Sequence, residues 1–364
     1  MIFWRELARE KLHHTFEWPR PAGPSKVPFE EKEARLVFVD GYYTQSKVPA
    51  DIVCLDFDAA LKSYAVFLHN RWTKAFKEEK DPFYLKNAVE HGRGLFLYVP
   101  PNVKTSLEIF HHSTGLDLAS PKIQIVLGKN ASLSLVQSGE RGFYNGVIDA
   151  SLDAGAQLTV YDLEFLPATA HSHTTFRAEL KKGAHLAIFH ATEGAKKARF
   201  SASAALLEEG SSFLFRSLGM LHGERQAEIH ALADHAAPHC TSRQHVKMVL
   251  NGKSKSNFEG KIYVHPIAQK TEAYQLNNNL ILSHDAVATA KPNLEIFADD
   301  VKASHGATFS QLSGEELFYL RSRGLPHSEA KTLLMQAFCR EIIDSLPIES
   351  LKPPLLEAMA RVYA

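Results

Sequence analysis

The chain has 364 residues, with 19 histidines and three cysteines. The first question is whether any of them are spaced to bind a metal. His171-x-His173 puts two imidazoles on one face if the segment is a strand, but beside Pro167 and Thr169 a loop reads equally well. His235-Ala-Ala-Pro-His239-Cys240 holds three ligand types, yet no second cluster completes a four-coordinate site, so it reads as a histidine-rich turn. His13-His14 and His111-His112 read as surface pairs. Cys54, Cys240 and Cys339 form no C-x-x-C pair, which argues against a disulfide framework and a self-contained cysteine zinc site. Asp299-Asp300 offers two carboxylates for glycoside chemistry, but neighbours on a strand point to opposite faces. Phosphate-loop, nucleophile-elbow and dinucleotide-binding glycine patterns are all missing. That leaves His305, in Ala303-Ser-His-Gly306, at the last strand-like position before the sequence changes character. There it is either a satisfied polar core group or a ligand.

Lys+Arg and Asp+Glu both number 41, so no global field recruits nucleic acid or a membrane surface. No apolar run approaches the ~18 residues that suggest a membrane span. The opening Met1-Ile-Phe-Trp-Arg-Glu-Leu mixes charge too early for a signal peptide, and the expectation is a cytoplasmic protein. The length predicts two or three domains, unless one elongated repeat body takes up most of the chain.

The middle of the chain does repeat. A nine-residue phrase runs Leu, two polar or small residues, a turn residue, a small residue, then x-apolar-x-apolar. It occurs at Leu127–Leu135, Leu152–Val160, Leu180–Ile188 and Leu207–Phe215, with Asn130, Gly155, Gly183 and Gly210 in the turn slot. Asn or Gly suits a turn at positive φ, and the alternation after it sends every second side chain inward. Weaker copies start at Leu232, Leu282 and Phe297, with His235, Asp285 and Asp300 in that slot and His305 in the ninth, normally apolar, position. Coils of this kind cannot bury an apolar face alone; stacked, they form a parallel β-helix. A β-propeller blade needs a longer period, and a β-sandwich would not repeat one phrase. Asn277-Asn-Asn279 reads as a polar turn in preference to an asparagine ladder.

Flanking regions follow other patterns. Phe3, Leu7 and Leu12 predict a helix within residues 1–20; strand signals follow from Ala34 to Val48, and 57–90 has helical spacing around Ala59, Trp72 to Phe76 and Tyr84 to Val89. Past Phe309, the capping box Ser313-x-x-Glu316 starts a helix that Gly324 and Pro326 break. Helices over Ser328–Leu346 and Pro354–Tyr363 follow. The expected organisation is a mixed, mostly helical N-terminal domain over 1–95, a β-helix core over 96–312, and a C-terminal helical unit over 313–364, too small to stand alone.

Gln269-Lys-Thr-Glu-Ala-Tyr-Gln275, Asn277, Asn279, Leu280-Ile-Leu-Ser283, Pro292-x-Leu-Glu-Ile296, Ala298-Asp-Asp-Val301, Ser304-His-Gly-Ala-Thr308 and Leu317-Phe-Tyr-Leu-Arg-Ser-Arg-Gly324 together resemble the SufB/SufD family. These are scaffold proteins of the SUF iron–sulfur cluster assembly system, and the resemblance is nearer to SufD. It implies a mainly β chain: a right-handed parallel β-helix with helical flanks, consistent with the repeat. It implies a non-catalytic, cytoplasmic scaffold that pairs with a SufB-like subunit and docks a SufC-like ATPase through residues 313–364. His305 falls on the family's Ser-His-Gly-Ala-Thr motif, whose histidine is tied to nascent iron–sulfur cluster or iron at the subunit interface, shared transiently with the partner. Ala303 stands where SufD members often carry cysteine. The Asp285–Ala288 region lacks the cysteine of SufB, so this chain supplies no thiolate there. SUF complexes can also involve a flavin, for which no residue here is assigned, and a homodimer in isolation stays open beside the heterodimer. Two other classes remain: a β-helix polysaccharide enzyme using Asp299 or Asp300, and a structural adaptor with no metal role.

Overall fold

The computed structural model describes residues 34–68, 79–91, 94–113 and 118–362. The helix expected within 1–20, the pair His13-His14, the stretch Trp72–Phe76 and Tyr363 lie outside them. Strand outweighs helix by 52% to 19%, and the body is a parallel β-solenoid of about 7 turns. Its elements begin with β1 (Arg35–Val39), β2 (Tyr42–Lys47), β3 (Val53–Asp56), α1 (Phe57–Ser63) and α2 (Pro82–Glu90). They continue with β4 (Leu95–Val99), β5 (Lys104–His112), β6 (Leu118–Ala119), β7 (Lys122–Leu127), β8 (Ser132–Gly139), β9 (Phe143–Leu152) and β10 (Gln157–Glu164). Next come β11 (His171–Leu180), β12 (His185–Thr192), β13 (Lys197–Leu206), β14 (Ser212–Leu221), β15 (Gln226–His235) and β16 (Thr241–Leu250). The last strands are β17 (Lys255–Val264), β18 (Thr271–Ile281), β19 (Val287–Ile296) and β20 (Val301–Ser310), before α3 (Gly314–Ser322), α4 (His327–Ile343) and α5 (Lys352–Arg361).

Successive strands alternate between two sheets. One runs β2-β1-β5-β8-β10-β12-β14-β16-β18-β20, the other β3-β4-β7-β9-β11-β13-β15-β17-β19, with β6 against β9. At the N-terminal end each sheet closes on an antiparallel strand, β2 on β1 and β3 on β4. At the C-terminal end, β19 and β20 are the last strands of their sheets, and among the described residues neither is followed by another. The part of the expected 1–95 unit that is described therefore contributes strands as well as helices, and β1 pairs in parallel with β5.

The turn phrase accounts for one corner of the coil. Asn130, Gly155, Gly183 and Gly210 all have positive φ, between 56° and 73°, as a side chain-poor or amide-bearing turn residue allows. Val99-Pro-Pro-Asn102 makes the same corner one coil earlier, with Asn102 at φ 64°; its proline pair hid it from the leucine-led phrase. The weaker copy at Leu232 is out of frame. Its turn residue is His239 (φ 58°), and the next corner turns at Lys270 (φ 61°), while His235 ends β15 inside the coil. Asn277–Asn279 is no turn either: it lies within β18, with Asn277 and Asn279 buried inward.

Alternate residues of every strand fill the lumen with a continuous apolar core, from Leu36 and Phe38 to Val264 and Ala273. Burying a large aliphatic side chain contributes roughly 1.5–3 kcal/mol, and stacking in register lets each coil shield the next. A second core forms outside the first sheet. Met335, Cys339, Ile342 and Ile343 of α4 and Leu355 and Met359 of α5 pack on Leu218, Met220, Val249 and Leu280. Lys247 Nζ fixes this contact, donating to the Phe338 carbonyl at 2.9 Å and pairing with Glu341 at 2.5 Å. Asn251 Nδ2 holds the Val362 carbonyl at 2.7 Å. The Ser313 cap is present, its hydroxyl accepting from Glu316 N at 3.3 Å. Yet α3 buries no residue and rests along α4.

Candidate functional site at the open end of the solenoid

The ninth position of the repeat becomes a single column in the structure. Leu107, Leu135, Val160, Ile188, Phe215, Gln244, Gln275 and His305 are register partners on successive coils of the first sheet. The column starts aliphatic and turns polar over its last three coils. Gln275 Nε2 donates to Gln244 Oε1 at 2.6 Å, and Gln244 Nε2 donates to the Lys261 carbonyl at 3.4 Å. Gly260 makes room for this pair, since a Cβ there would lie 2.3 Å from Gln275 Nε2. Beside it, Asn279 Nδ2 donates to Asn277 Oδ1 at 2.6 Å and to the Thr308 carbonyl at 3.1 Å. Gln275 Oε1 and Asn279 Oδ1 are buried acceptors with no partner among the described residues.

His305 ends the file. Its alternation points it to the lumen side of β20, but no coil follows, and it is exposed. An inward-facing position on an unfinished coil presents its imidazole without moving backbone. Phe297 (56% exposed), Phe309 (50%) and Val287 (49%) line the same last coil. Large apolar side chains this exposed on unpaired edge strands mark a surface suited to another chain.

The other sequence candidates are not assembled into sites. His171 and His173 do lie on a strand, β11, but they stack on Phe143 and Phe83 at 5.2 and 3.9 Å. Burial, helped by Arg199, lowers His173 to about 3. His235 is buried in the lumen, its Nε2 2.8 Å from Ser242 Oγ, and burial lowers it to about 4. Asp300 forms an exposed pair with Lys270. Among the described residues no group of three or more His, Cys, Asp or Glu could hold a metal ion. Two of the cysteines are not poised as nucleophiles, since burial pushes Cys240 up and Cys339 up to about 12; Cys54, half-buried, has its Sγ 3.4 Å from Tyr43 Oη.

One of the expected surface pairs is wrong. His111 is buried, with Nε2 3.3 Å from Gln137 Oε1 and 3.4 Å from Tyr144 Oη. Burial and the Arg141 charge push it well below the usual histidine range. It borders a polar cluster in the lumen that sequence inspection missed. Arg141 donates to Asp162 Oδ1 at 2.8 Å and to Glu164 Oε1 at 3.1 Å, with all three buried. Gln137 Nε2 donates to Asp162 Oδ2, Ser172 and Thr174 donate to Glu164, and His190 bridges Glu164 Oε2 (3.3 Å) and Ser217 Oγ (2.9 Å). Burial pushes Glu164 up, but the hydrogen bond and charge of His190 and the charge of Arg141 outweigh it and hold the carboxyl at about 2. The one signal in the sequence is the pair Asp162-x-Glu164, two carboxylates on the lumen side of a strand otherwise inward-apolar.

Comparison with known proteins now bears on the site. A family model described as the SUF system FeS cluster assembly, SufBD core domain, matches residues 110–338, which takes in the polar file and His305. The chain belongs to the SufBD core domain family. An iron–sulfur cluster assembly SufBD family protein of Synechocystis is 29% identical over 355 residues, 91% of this chain and 78% of its own. The iron–sulfur cluster assembly protein SufD of Escherichia coli K12 is 29% identical over 333 residues, 88% of this chain and 77% of that protein. Arabidopsis thaliana ABCI7, named as chloroplastic, is 29% identical over 342 residues, covering 87% and 71%. As a SufBD protein with SufD among its relatives, the chain is an iron–sulfur cluster assembly protein. No helix among its described residues is long and apolar enough to cross a membrane.

Proposed function

We propose that this chain is a non-catalytic, SufD-like scaffold subunit working in the cytoplasm, which pairs with a SufB-like chain through its open end and offers His305 to an iron or nascent cluster at that junction. The observation that carries this reading is the inward-facing yet exposed imidazole on the last coil. A single imidazole is too few ligands for iron, and among the described residues no nearby side chains complete the set. The remaining ligands therefore come from the chain that covers β19 and β20. Sulfur too enters from the partner side, since Cys240 and Cys339 are buried and raised and Cys54 lies on β3, at the far end of the solenoid.

The same proposal gives the C-terminal unit, residues 313–364, the task of docking a SufC-like ATPase. Between α3 and α4 lies a groove of about 500 Å³ lined by Tyr319, Leu320, Leu333, Leu334 and Ala337, with Glu315 and Glu316 at its rim. Phe318 next to it is 73% exposed. Because α4 is anchored to the first sheet through Lys247, a push on this groove is transmitted to the coils that carry the polar file.

The test is co-expression with SufB-like and SufC-like partners, comparing wild type with His305→Ala after anaerobic purification. The expected result is equal assembly of both complexes, with iron and sulfide lost only in the variant. Equal iron in both would make the chain a structural adaptor, and failure of any complex to form would overturn the pairing.

A further inference from the structure

Opposite the Asn130–Gly210 corner, the chain passes from the first sheet to the second, and five of these passages stack beside a cavity of about 680 Å³. Its lining includes Lys196, His222, Arg225, Lys253 and Lys255, opposed by the carboxylates of Glu224 and Asp285. The ion pairs around it use other cations: Arg361 holds Glu193 at 2.5 Å and His284 lies 3.3 Å from Asp285. Among the described residues, Lys196, Lys253 and Lys255 are exposed and in no ion pair. Arg225 is preset by backbone. Its Nη1 donates to the carbonyls of Leu166 and Gly194, both at 2.8 Å, so backbone dipoles fix the guanidinium, which also feels the charge of Glu193, a carboxylate already held by Arg361. His222 Nε2 is shielded from water and has no partner among the described residues.

Coil spacing brings these cations together. Gln226 and Lys255 are register partners, so the corners carrying Lys196, Arg225 and Lys255 rise in steps of about 4.8 Å. Gly223 and Gly252, at φ 62° and 68°, stack so closely that a Cβ on Gly252 would lie 3.0 Å from Gly223 N. That leaves bare backbone on the cavity wall. Like charges at this spacing repel unless an anion lies between them. We infer that this corner binds a phosphate-type oxyanion, with Arg225 as the fixed donor and Lys196, Lys253 and Lys255 closing over it. Among the described residues no Phe, Tyr or Trp lines the cavity, so the anion and not an attached ring is what is recognised.

The full-length chain should be titrated calorimetrically with orthophosphate, pyrophosphate and ADP, alone and as Lys253→Ala/Lys255→Ala. The control is Lys181→Ala/Lys182→Ala, exposed lysines at the opposite corner paired with Asp153 and Glu209. Wild type should bind pyrophosphate and ADP with similar affinity, weakening as salt rises. The cavity variant should bind pyrophosphate at least about tenfold more weakly, the size of one charge-assisted hydrogen bond. The control should match wild type. Any of these results would overturn the inference: no pyrophosphate binding, a cavity variant that binds like wild type, equal loss in the control, or ADP bound about tenfold tighter than pyrophosphate. None of them depends on cluster assembly.

Discussion

The lumen carries polar groups in two places, and they are built to opposite ends. In mid-solenoid, Arg141, Asp162, Glu164 and His190 are walled in on every side, and their donors and acceptors are met by Gln137, Ser172, Thr174 and Ser217. At the open end, Gln244, Gln275 and His305 continue a column that is aliphatic up to Phe215, and it stops at an exposed imidazole. Both depart from an apolar pattern, but only one is closed. A buried charge must be compensated within the fold, so the first cluster is tied to architecture. A polar residue on the last coil is compensated by water until another chain replaces it. The same substitution chemistry thus has different consequences depending on whether another coil follows.

The largest expected effect comes from opening the closed cluster. Arg141→Ala strands two buried carboxylates and should cost about 3–5 kcal/mol, read as a fall in the urea midpoint. A loss below about 1 kcal/mol would show that water enters the lumen there, erasing the contrast. Acid should act in the same direction. His235 is neutral in the fold, with its value near 4 against 6.5 when unfolded. Its contribution is complete above pH 6.5 and is lost as pH falls from 6.5 to 4, by roughly 3 kcal/mol at the lower limit. His235→Gln should flatten that acid limb in pH-dependent unfolding curves, and an unchanged limb would mean the ring reaches solvent.

The open end should respond differently. Gln244→Leu together with Gln275→Leu restores the aliphatic column and removes both hydrogen-bonding partners, so stability should stay within about 1 kcal/mol or rise. If the file matters only to the fold, iron in the co-expressed complex will be unchanged as well; less iron would show that the file helps to position His305. His305→Ala should move the thermal midpoint least, by less than about 0.5 kcal/mol equivalent, since nothing packs over it. A large destabilisation by His305→Ala would make it a core residue and dissolve the distinction between the two regions. Likewise, Phe318→Asp should leave the midpoint alone while abolishing ATPase capture, because α3 buries nothing.

Much of the fold could be read directly, because its signals are local. A turn at positive φ needs glycine or asparagine within a few residues, and Asn130, Gly155, Gly183 and Gly210 declare themselves. Alternation fixed which side chains face the lumen, and from it the placement of His305 in an inward slot follows. The Ser313 cap and the stripe of α4 are equally local. Frame errors arose where turn chemistry was unusual: His239 and Lys270 adopt positive φ without being residues that announce it, and Pro100-Pro101 masked the Asn102 corner. Asn277 and Asn279 misled because polarity suggests a turn, whereas here their side-chain amides donate to each other and to the neighbouring backbone inside the coil, with Asn279 Oδ1 left without a partner among the described residues.

What the sequence alone determined, then, is the repeat, its turns, the helical cap and the inward side of each strand, since all follow from residues within one turn of each other. Only the tertiary structure decided which polar residues meet. Arg141, Glu164 and His190 lie on different coils, and their contact depends on coil-to-coil register that no single repeat specifies. Only the structure decided, too, that His305 is reachable. Its residue type and slot are the same whether one more coil follows or none, and burial is a property of the stack, not of the strand.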